Sequence, residues 1–384
     1  MKKIGIYTGS RADYSILKNL IIEIQKKKNI QAKLYVGGGH VSKKSGETYK
    51  EIINDKIKID FLSKIKIKKT GNVDILRFIS DSIKEYTKTL NKHKPELIVV
   101  LGDRYEAYAF TMAAFFLNIK IAHIHGGELT QGAFDDCLRH SISKLSNFHF
   151  VTHKSYQKRL IQLGEEKKNI FLVGSLGVQN YVNTNKLSKK ELYIKYNIPF
   201  GKKILLATFH PETRGKIKTK EQIKIFISAL SFYKNIFIIF TYNNLDSDGL
   251  YFAKCLEEFN KINKNSMIIK SMGSNLYYNF IKNVDLVIGN SSSGIIEVPE
   301  AKTATLDIGD RQLGRIKSAS VFSCKLNKID IILSINKILK KKNIVFKNVY
   351  KQKKTKENIT SNLIKILYKG KQEQKKFNDI EFKY

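Results

Sequence analysis

Residues Leu97 to Leu101 read LIVVL, and the chain continues as GDRYEA from Gly102 to Ala107. An unbroken apolar run of this length, rich in β-branched residues, predicts a strand covered on both faces. Glycine and charged residues end it, and the apolar stretch Ala107 to Leu117 then predicts a buried helix. Strand, polar turn and helix together form one βα unit of a parallel sheet. The same rhythm extends in both directions. Further strands are predicted at Lys3 to Thr8, Ala32 to Val36, Ile119 to Ile124, Phe148 to Val151 and Ile170 to Val173. In the second half they are predicted at Ile204 to Phe209, Ile236 to Thr241, Met267 to Ile269, Leu286 to Ile288 and Thr303 to Ile308. The class is α/β, with parallel sheets covered by helices on both faces.

A length of 384 residues fits two domains, each able to bury its own core. The boundary is expected between Asn180 and Lys186, after the turn Val173 to Gly177 and before a helix that Ser188 and Glu191 open with capping-box spacing. The expected organisation is therefore a domain over 1–180, a second over 187–350, and a closing segment over 351–384. In that segment Lys356 to Leu367 predicts an amphipathic helix, and Lys369 to Tyr384 a charged tail that frays.

An apolar content of 42% excludes wholesale disorder. No apolar run approaches the roughly 18 residues that a membrane helix requires, and the N-terminus passes from Lys2 and Lys3 straight into a strand, so a cytoplasmic location without membrane insertion is expected. Cys137, Cys255 and Cys324 are far apart and show no paired spacing, which argues against a disulfide framework or a zinc site. The net charge of +35 arises from lysines scattered through nearly every segment rather than from one basic stripe. Its expected role is a field that attracts an anionic substrate, not nucleic-acid binding.

Chemistry is expected where strands hand over to helices. The first such turn, GSRADYS from Gly9 to Ser15, offers hydroxyls and Arg11 at a helix N-terminus, a favourable place for an anion. It lacks the spacing of a dinucleotide fingerprint. GDRYEA sets Asp103 beside Arg104, which reads either as a site or as a structural ion pair. HIHGGE from His123 to Glu128, followed by Asp135, Asp136, Arg139 and His140, gathers acids and bases around a glycine turn. His123 and His125 read as alternating positions of a strand, and no H-E-x-x-H or cysteine pair completes a metal set, so no metal is expected. His149 and His153 read as core or hydrogen-bonding residues. In the second half, FHPET from Phe209 to Thr213 follows one strand. GNSSSG from Gly289 to Gly294 follows another and leads to Glu297, a pattern suited to wrapping a diphosphate and holding ribose hydroxyls. No Walker lysine follows it, which disfavours ATP chemistry. Arg311 adds a charge nearby.

These motifs, in this order from Met1 to about Arg315, resemble the hydrolysing UDP-N-acetylglucosamine 2-epimerases of sialic-acid and related nonulosonic-acid synthesis. The resemblance implies the GT-B architecture, two Rossmann-like doubly wound domains around a cleft. It implies that Asp103 and Asp135 match catalytic acids. By the same match Arg11, Ser15, Arg104, His210, Ser291, Ser292, Glu297 and Arg311 bind nucleotide diphosphate or sugar. The family places glutamate where this chain has His125; Glu128 stands close by, and both join the candidate proton-transfer groups.

The implied reaction converts UDP-N-acetylglucosamine to N-acetylmannosamine and UDP by elimination to a glycal and addition of water, without a cofactor. The alternative is the same reaction on UDP- or GDP-linked N,N'-diacetylbacillosamine for legionaminic acid. More remote are a non-hydrolysing epimerase, against which Gly102-Asp103-Arg104 argues, a GT-B glycosyltransferase, and a basic nucleic-acid-binding protein. The resemblance further implies a homo-oligomer.

Overall fold

In the computed structural model, which describes residues 1–43, 46–67, 71–212, 215, 217–242, 249–270, 272–369 and 374–380, Leu97–Leu101 is a central strand with every residue buried. Alternate residues explain its composition. Leu97, Val99 and Leu101 enter one apolar core, and Ile98 and Val100 enter another on the opposite face. A strand that is dry on both sides has no place for a polar residue until it ends.

The first sheet contains β1 (Lys2–Thr8), β2 (Ile30–Val36), β3 (Phe61–Leu62), β4 (Leu97–Leu101), β5 (Lys120–Ile124), β6 (Phe148–Val151) and β7 (Ile170–Leu172). They lie in the order β3-β2-β1-β4-β5-β6-β7, and every pairing is parallel. The second sheet contains β8 (Lys203–Thr208), β9 (Ile236–Thr241), β10 (Ser266–Ile269), β11 (Leu286–Gly289), β12 (Ala304–Ile308) and β13 (Val321–Cys324). Its order, β10-β9-β8-β11-β12-β13, is likewise parallel throughout. Each sheet reverses direction once, between β1 and β4 and between β8 and β11, and leaves a crevice at the strands' carboxyl ends.

Two strands escape the sequence reading, β3 and β13. Both are edges that pair on one side only, so neither needs the apolar run that marks a central strand. β3 is just two residues long, and β13 is only partly buried.

The chain divides into two compact units: Met1–Glu128, Asp135–Gln179 and Tyr350–Tyr384 form one, and Leu129–Phe134 with Asn180–Val349 form the other. The C-terminal stretch, expected as a segment apart, thus belongs to the first unit. Its helix Thr355–Tyr368 buries Ile359, Leu363, Ile366 and Leu367 in the same core as Leu17 and Ile21 of the helix Arg11–Gln25. Burying each such side chain contributes about 1.5–3 kcal/mol. In the second unit, Leu205 and Ala207 of β8 face one core, and Ile204 and Leu206 the other. The capping box forms at Ser188 and Glu191 as the spacing predicts. No helix among the described residues is long and apolar enough to cross a membrane.

The charged tail is not frayed over 374–380. Lys375 Nζ lies 2.7 Å from Oε2 of the buried Glu165 and donates to the carbonyls of Lys144 and Ser146, at 2.6 Å each. His149 Nε2 and Lys144 Nζ, at 3.0 and 3.1 Å, complete the shell of Glu165. Phe377 sits under the Lys144 ammonium, and Asn378 N–H donates to the Gly164 carbonyl. Burial alone raises the Glu165 carboxyl, but the hydrogen bonds and charges of His149 and Lys375 outweigh it and hold the group below its ordinary range. The stability this arrangement contributes is therefore present above the unfolded carboxyl's pKa and is lost as pH falls through the lower folded value. Lys375→Ala is expected to cost about 1–3 kcal/mol at neutral pH, with the deficit shrinking in acid. Urea titrations of both proteins across pH measure this, and equal stability at neutral pH would contradict it.

Candidate functional site

In the first unit, the turn after β4 begins at Gly102, whose φ of +76° suits glycine and whose N–H donates to the Ile124 carbonyl at 2.9 Å. Asp103 and Arg104 follow, and each has a partner further along the chain. Asp103 pairs with Arg139, a guanidinium only 1% exposed. Arg104 instead turns back on Glu106, donating from Nε and Nη2 at 3.2 and 3.1 Å. Glu106 is fully buried, and burial raises its carboxyl above the ordinary range while Arg104 pulls it down. Asp13 behaves alike, raised by burial and opposed by Arg104, with one carboxylate oxygen accepting from Gly9 N–H at 3.2 Å. Gly9 and Glu106 also crowd Gly38, where a Cβ would lie 2.6 Å from the Gly9 carbonyl oxygen and from Glu106 Cγ. Arg11 and Ser15 begin the helix capped by Ser10 and, four residues apart, share one of its faces.

Beyond β5, His125 is not a strand position. It takes φ +68°, a left-handed conformation that a non-glycine residue seldom adopts, while its N–H still donates to the Phe150 carbonyl at 3.0 Å. Its Nδ1 stands 3.1 Å from Oε1 of the buried Glu128, and the same oxygen accepts from Thr152 Oγ1 at 2.9 Å. His125 Nε2 is buried and has no hydrogen-bond partner among the described residues. Asp135 opens the helix Asp135–Leu145, one turn before Arg139. Arg139 draws this region together: it pairs with Asp103, donates to the Glu128 carbonyl at 3.0 Å and lies 3.7 Å from Asp136.

In the second unit the organising group is a neutral amide. Asn290 Oδ1 accepts from His210 N–H at 2.7 Å, and its Nδ2 donates to the His210 carbonyl at 2.8 Å, so one side chain binds the loop after β8 to the loop after β11. The Asn290 carbonyl accepts from Arg311 Nη1 at 2.9 Å and Gln312 Nε2 at 3.0 Å, which adds the loop after β12. Gly289, at φ +129°, passes so close to the Thr208 carbonyl that no side chain fits. Glu212 Oε1 accepts the N–H groups of Asp310 and Arg311 at 2.9 and 3.3 Å. Burial raises its carboxyl, and those N–H groups oppose the shift. Ser291 is the N-cap residue of a short helix that begins at Ser292, and the buried Glu297 is its C-cap residue. Thr213 of FHPET lies outside the described residues.

The structure thus gathers His210, Ser291 and Arg311 around Asn290, and Asp103, Glu128 and His125 around Arg139 and Thr152. Sequence reasoning listed Arg139 among the acids and bases of this cluster without giving it a partner, and it did not single out Asn290, Glu212 or Thr152. Arg139 carried a signal, one helical turn beyond Asp135. Among the described residues, no cluster of three or more His, Cys, Asp or Glu side chains could hold a metal.

The UDP-N-acetylglucosamine 2-epimerase family model matches residues 22–364. The chain is 37% identical to a hydrolysing GDP/UDP-N,N'-diacetylbacillosamine 2-epimerase of Campylobacter jejuni, over 86% of each chain. It is 38% identical to the polysialic acid biosynthesis protein P7 of Escherichia coli, over 88% of this chain and 86% of that protein. A hydrolysing UDP-N,N'-diacetylbacillosamine 2-epimerase of Legionella pneumophila is 30% identical over 93% and 94% of the two chains. Among solved structures, the Neisseria meningitidis UDP-GlcNAc 2-epimerase bound to UDP-GlcNAc superposes with a TM-score of 0.80 at 19% identity, covering 95% of this chain and 100% of that one. The Methanocaldococcus jannaschii enzyme in complex with UDP-GlcNAc and UDP gives 0.78 at 22%, covering 94% and 99%. These likenesses show the fold, two parallel-sheet Rossmann-like units of the GT-B class. With the family model spanning most of its length and hydrolysing enzymes among its relatives, the chain belongs to the UDP-N-acetylglucosamine 2-epimerase family, as one of the hydrolysing 2-epimerases.

Proposed function

We propose that this hydrolysing 2-epimerase acts on a nucleoside-diphosphate-linked N,N'-diacetylbacillosamine, releasing the nucleotide and the free 2-epimeric sugar. The substrate assignment is supported by the Campylobacter and Legionella relatives, both named for that sugar and each aligned over more than four-fifths of this chain. UDP-N-acetylglucosamine, giving N-acetylmannosamine, is the second reading. It is favoured by the family description and by the Escherichia coli relative named for polysialic acid biosynthesis.

The observation that carries the chemistry is the set of proton-handling groups at the carboxyl ends of β4 and β5. Asp103 is held by Arg139, and His125 faces Glu128. In the proposed reaction a base removes the proton from carbon 2 as the bond from carbon 1 to the diphosphate oxygen breaks, forming a glycal. Water then adds hydroxyl to carbon 1 and a proton to carbon 2 on the other face. The sum is a hydrolysis with inversion at carbon 2, redox-neutral, and it requires no electron-carrying cofactor. A weakly acidic C–H needs a positioned base and a matching acid. Asp103, His125 and Asp135 are proposed for these proton transfers, with Glu128 orienting His125. Charge that develops on the departing diphosphate needs fixed cations and donors. Arg11, Ser15 and Arg104 in the first unit and His210, Ser291, Ser292, Glu297 and Arg311 in the second are proposed to hold the nucleotide and sugar. The net charge of +35 strengthens the field that brings such an anion in.

NMR of the purified enzyme with UDP-diacetylbacillosamine, GDP-diacetylbacillosamine and UDP-N-acetylglucosamine in separate reactions tests the assignment. Faster nucleotide release and 2-epimer formation from a diacetylbacillosamine substrate are expected. Preference for UDP-N-acetylglucosamine would establish the second reading, and turnover of none would refute both. Asp103→Asn is expected to lower kcat by a factor on the order of 100–10,000 with the circular dichroism unchanged, the range typical of a lost proton-transfer group. A kcat close to that of the parent enzyme would remove Asp103 from the chemistry.

A further inference from the structure

His123 lies one residue inside the end of β5, wholly buried and beside Val100 of β4 in register. Its Nε2 stands 2.6 Å from the Gly102 carbonyl oxygen, and its Nδ1 stands 3.0 Å from Ser143 Oγ. A carbonyl can only accept, so Nε2 carries the proton; Nδ1 must then accept, and the Ser143 hydroxyl donates to it. Both ring nitrogens are satisfied, and the tautomer is forced by the partners. The backbone closes over this arrangement, since a Cβ on Gly126 would lie 2.8 Å from Ser143 Oγ and 3.0 Å from His123 Nδ1. Burial lowers the imidazole to about 3, so the ring stays neutral and the pattern holds across the working range.

Gly102 is the residue before Asp103. Ser143 is on the helix Asp135–Leu145, four residues and thus one turn beyond Arg139, which grips the Asp103 carboxylate. One helix face therefore reaches Asp103 twice: directly through Arg139, and indirectly through Ser143, His123 and the Gly102 carbonyl. We infer that His123 is a positioning residue for Asp103, fixing the Gly102 peptide on one side while Arg139 fixes the carboxylate on the other. This rests on the proton-transfer role proposed for Asp103. A misplacement of about 1 Å can cost on the order of 100-fold in rate, and the left-handed turn at Gly102 has wide conformational freedom unless its carbonyl is held.

The test compares His123→Phe, which keeps ring volume without hydrogen bonds, with His123→Gln, whose amide can donate to Gly102 and accept from Ser143. Both are assayed on UDP-N,N'-diacetylbacillosamine, or on UDP-N-acetylglucosamine if only that is turned over. His123→Phe is expected to lower kcat by roughly 10- to 100-fold with KM within about twofold, and exchange of the carbon-2 proton with solvent should slow in parallel. His123→Gln is expected to recover most of the loss. A parental kcat in His123→Phe, or a Gln variant as slow as the Phe variant, would overturn the inference. If His123→Phe does not fold, Ser143→Ala decides: a lower kcat at unchanged KM supports the inference, and an unchanged kcat overturns it. Asp103→Asn, run alongside, separates the two claims. An active Asp103→Asn defeats the role of Asp103 itself, whereas an inactive Asp103→Asn beside a fully active His123→Phe defeats only the positioning role.

Discussion

In each sheet the chain winds outward twice from a central pair of strands, β1 with β4 and β8 with β11, and the loops leaving that pair diverge. This reversal is the constraint on which the rest depends. Strands covered on both faces can carry almost nothing polar, so polar chemistry is displaced to their carboxyl ends, where the divergence leaves room. Arg11 follows β1, Asp103 and Arg104 follow β4, and His125 and Glu128 follow β5. In the second unit His210 follows β8, Ser291 follows β11 and Arg311 follows β12.

The two units organise these loops with opposite electrostatics. In the first, a buried guanidinium gathers anionic and polar groups: the Asp103 and Asp136 carboxylates and the Glu128 carbonyl all face Arg139. A buried cation is tolerable only with such compensation, and removing one partner leaves a charge stranded in a poorly solvating interior. In the second, the groups to be joined are backbone amides and carbonyls. A neutral Asn290, which both donates and accepts, serves them without that cost. The first arrangement fixes two carboxylates against one guanidinium; the second ties three loops together and holds Arg311 through Nη1.

The central strands were legible because burial on both faces writes itself as an apolar run: LIVVL at Leu97 to Leu101 could hardly be another element. The edge strands β3 and β13 were not, because β3 is two residues long and β13 carries polar residues at a partly buried edge, so neither writes an apolar run. The turn motifs marked where strands hand over to helices, but not which side chains meet there. Asp103 and Arg104 are neighbours in sequence but point their charges to Arg139 and Glu106. Asn290 and Glu212 sit inside the quoted motifs, but their linking roles, like that of Thr152, exist only once separate loops meet. His123 read as one of two alternating strand histidines. The strand ends before His125, and the backbone turn there gives the two rings different surroundings, one with partners on both nitrogens and one whose Nε2 has no partner among the described residues. The tail shows the same limit: its lysines looked like solvated charge, and only the fold brings Glu165 within reach of Lys375.

The fate of the hydrogen at carbon 2 distinguishes elimination from simple hydrolysis most directly. Turnover of the preferred nucleotide sugar in deuterium oxide, with the released sugar read by NMR, is predicted to place deuterium at carbon 2 in the inverted configuration. A released sugar that keeps its original hydrogen and configuration at carbon 2 would mean simple hydrolysis at carbon 1, and would contradict elimination by the groups gathered around Asp103 and His125.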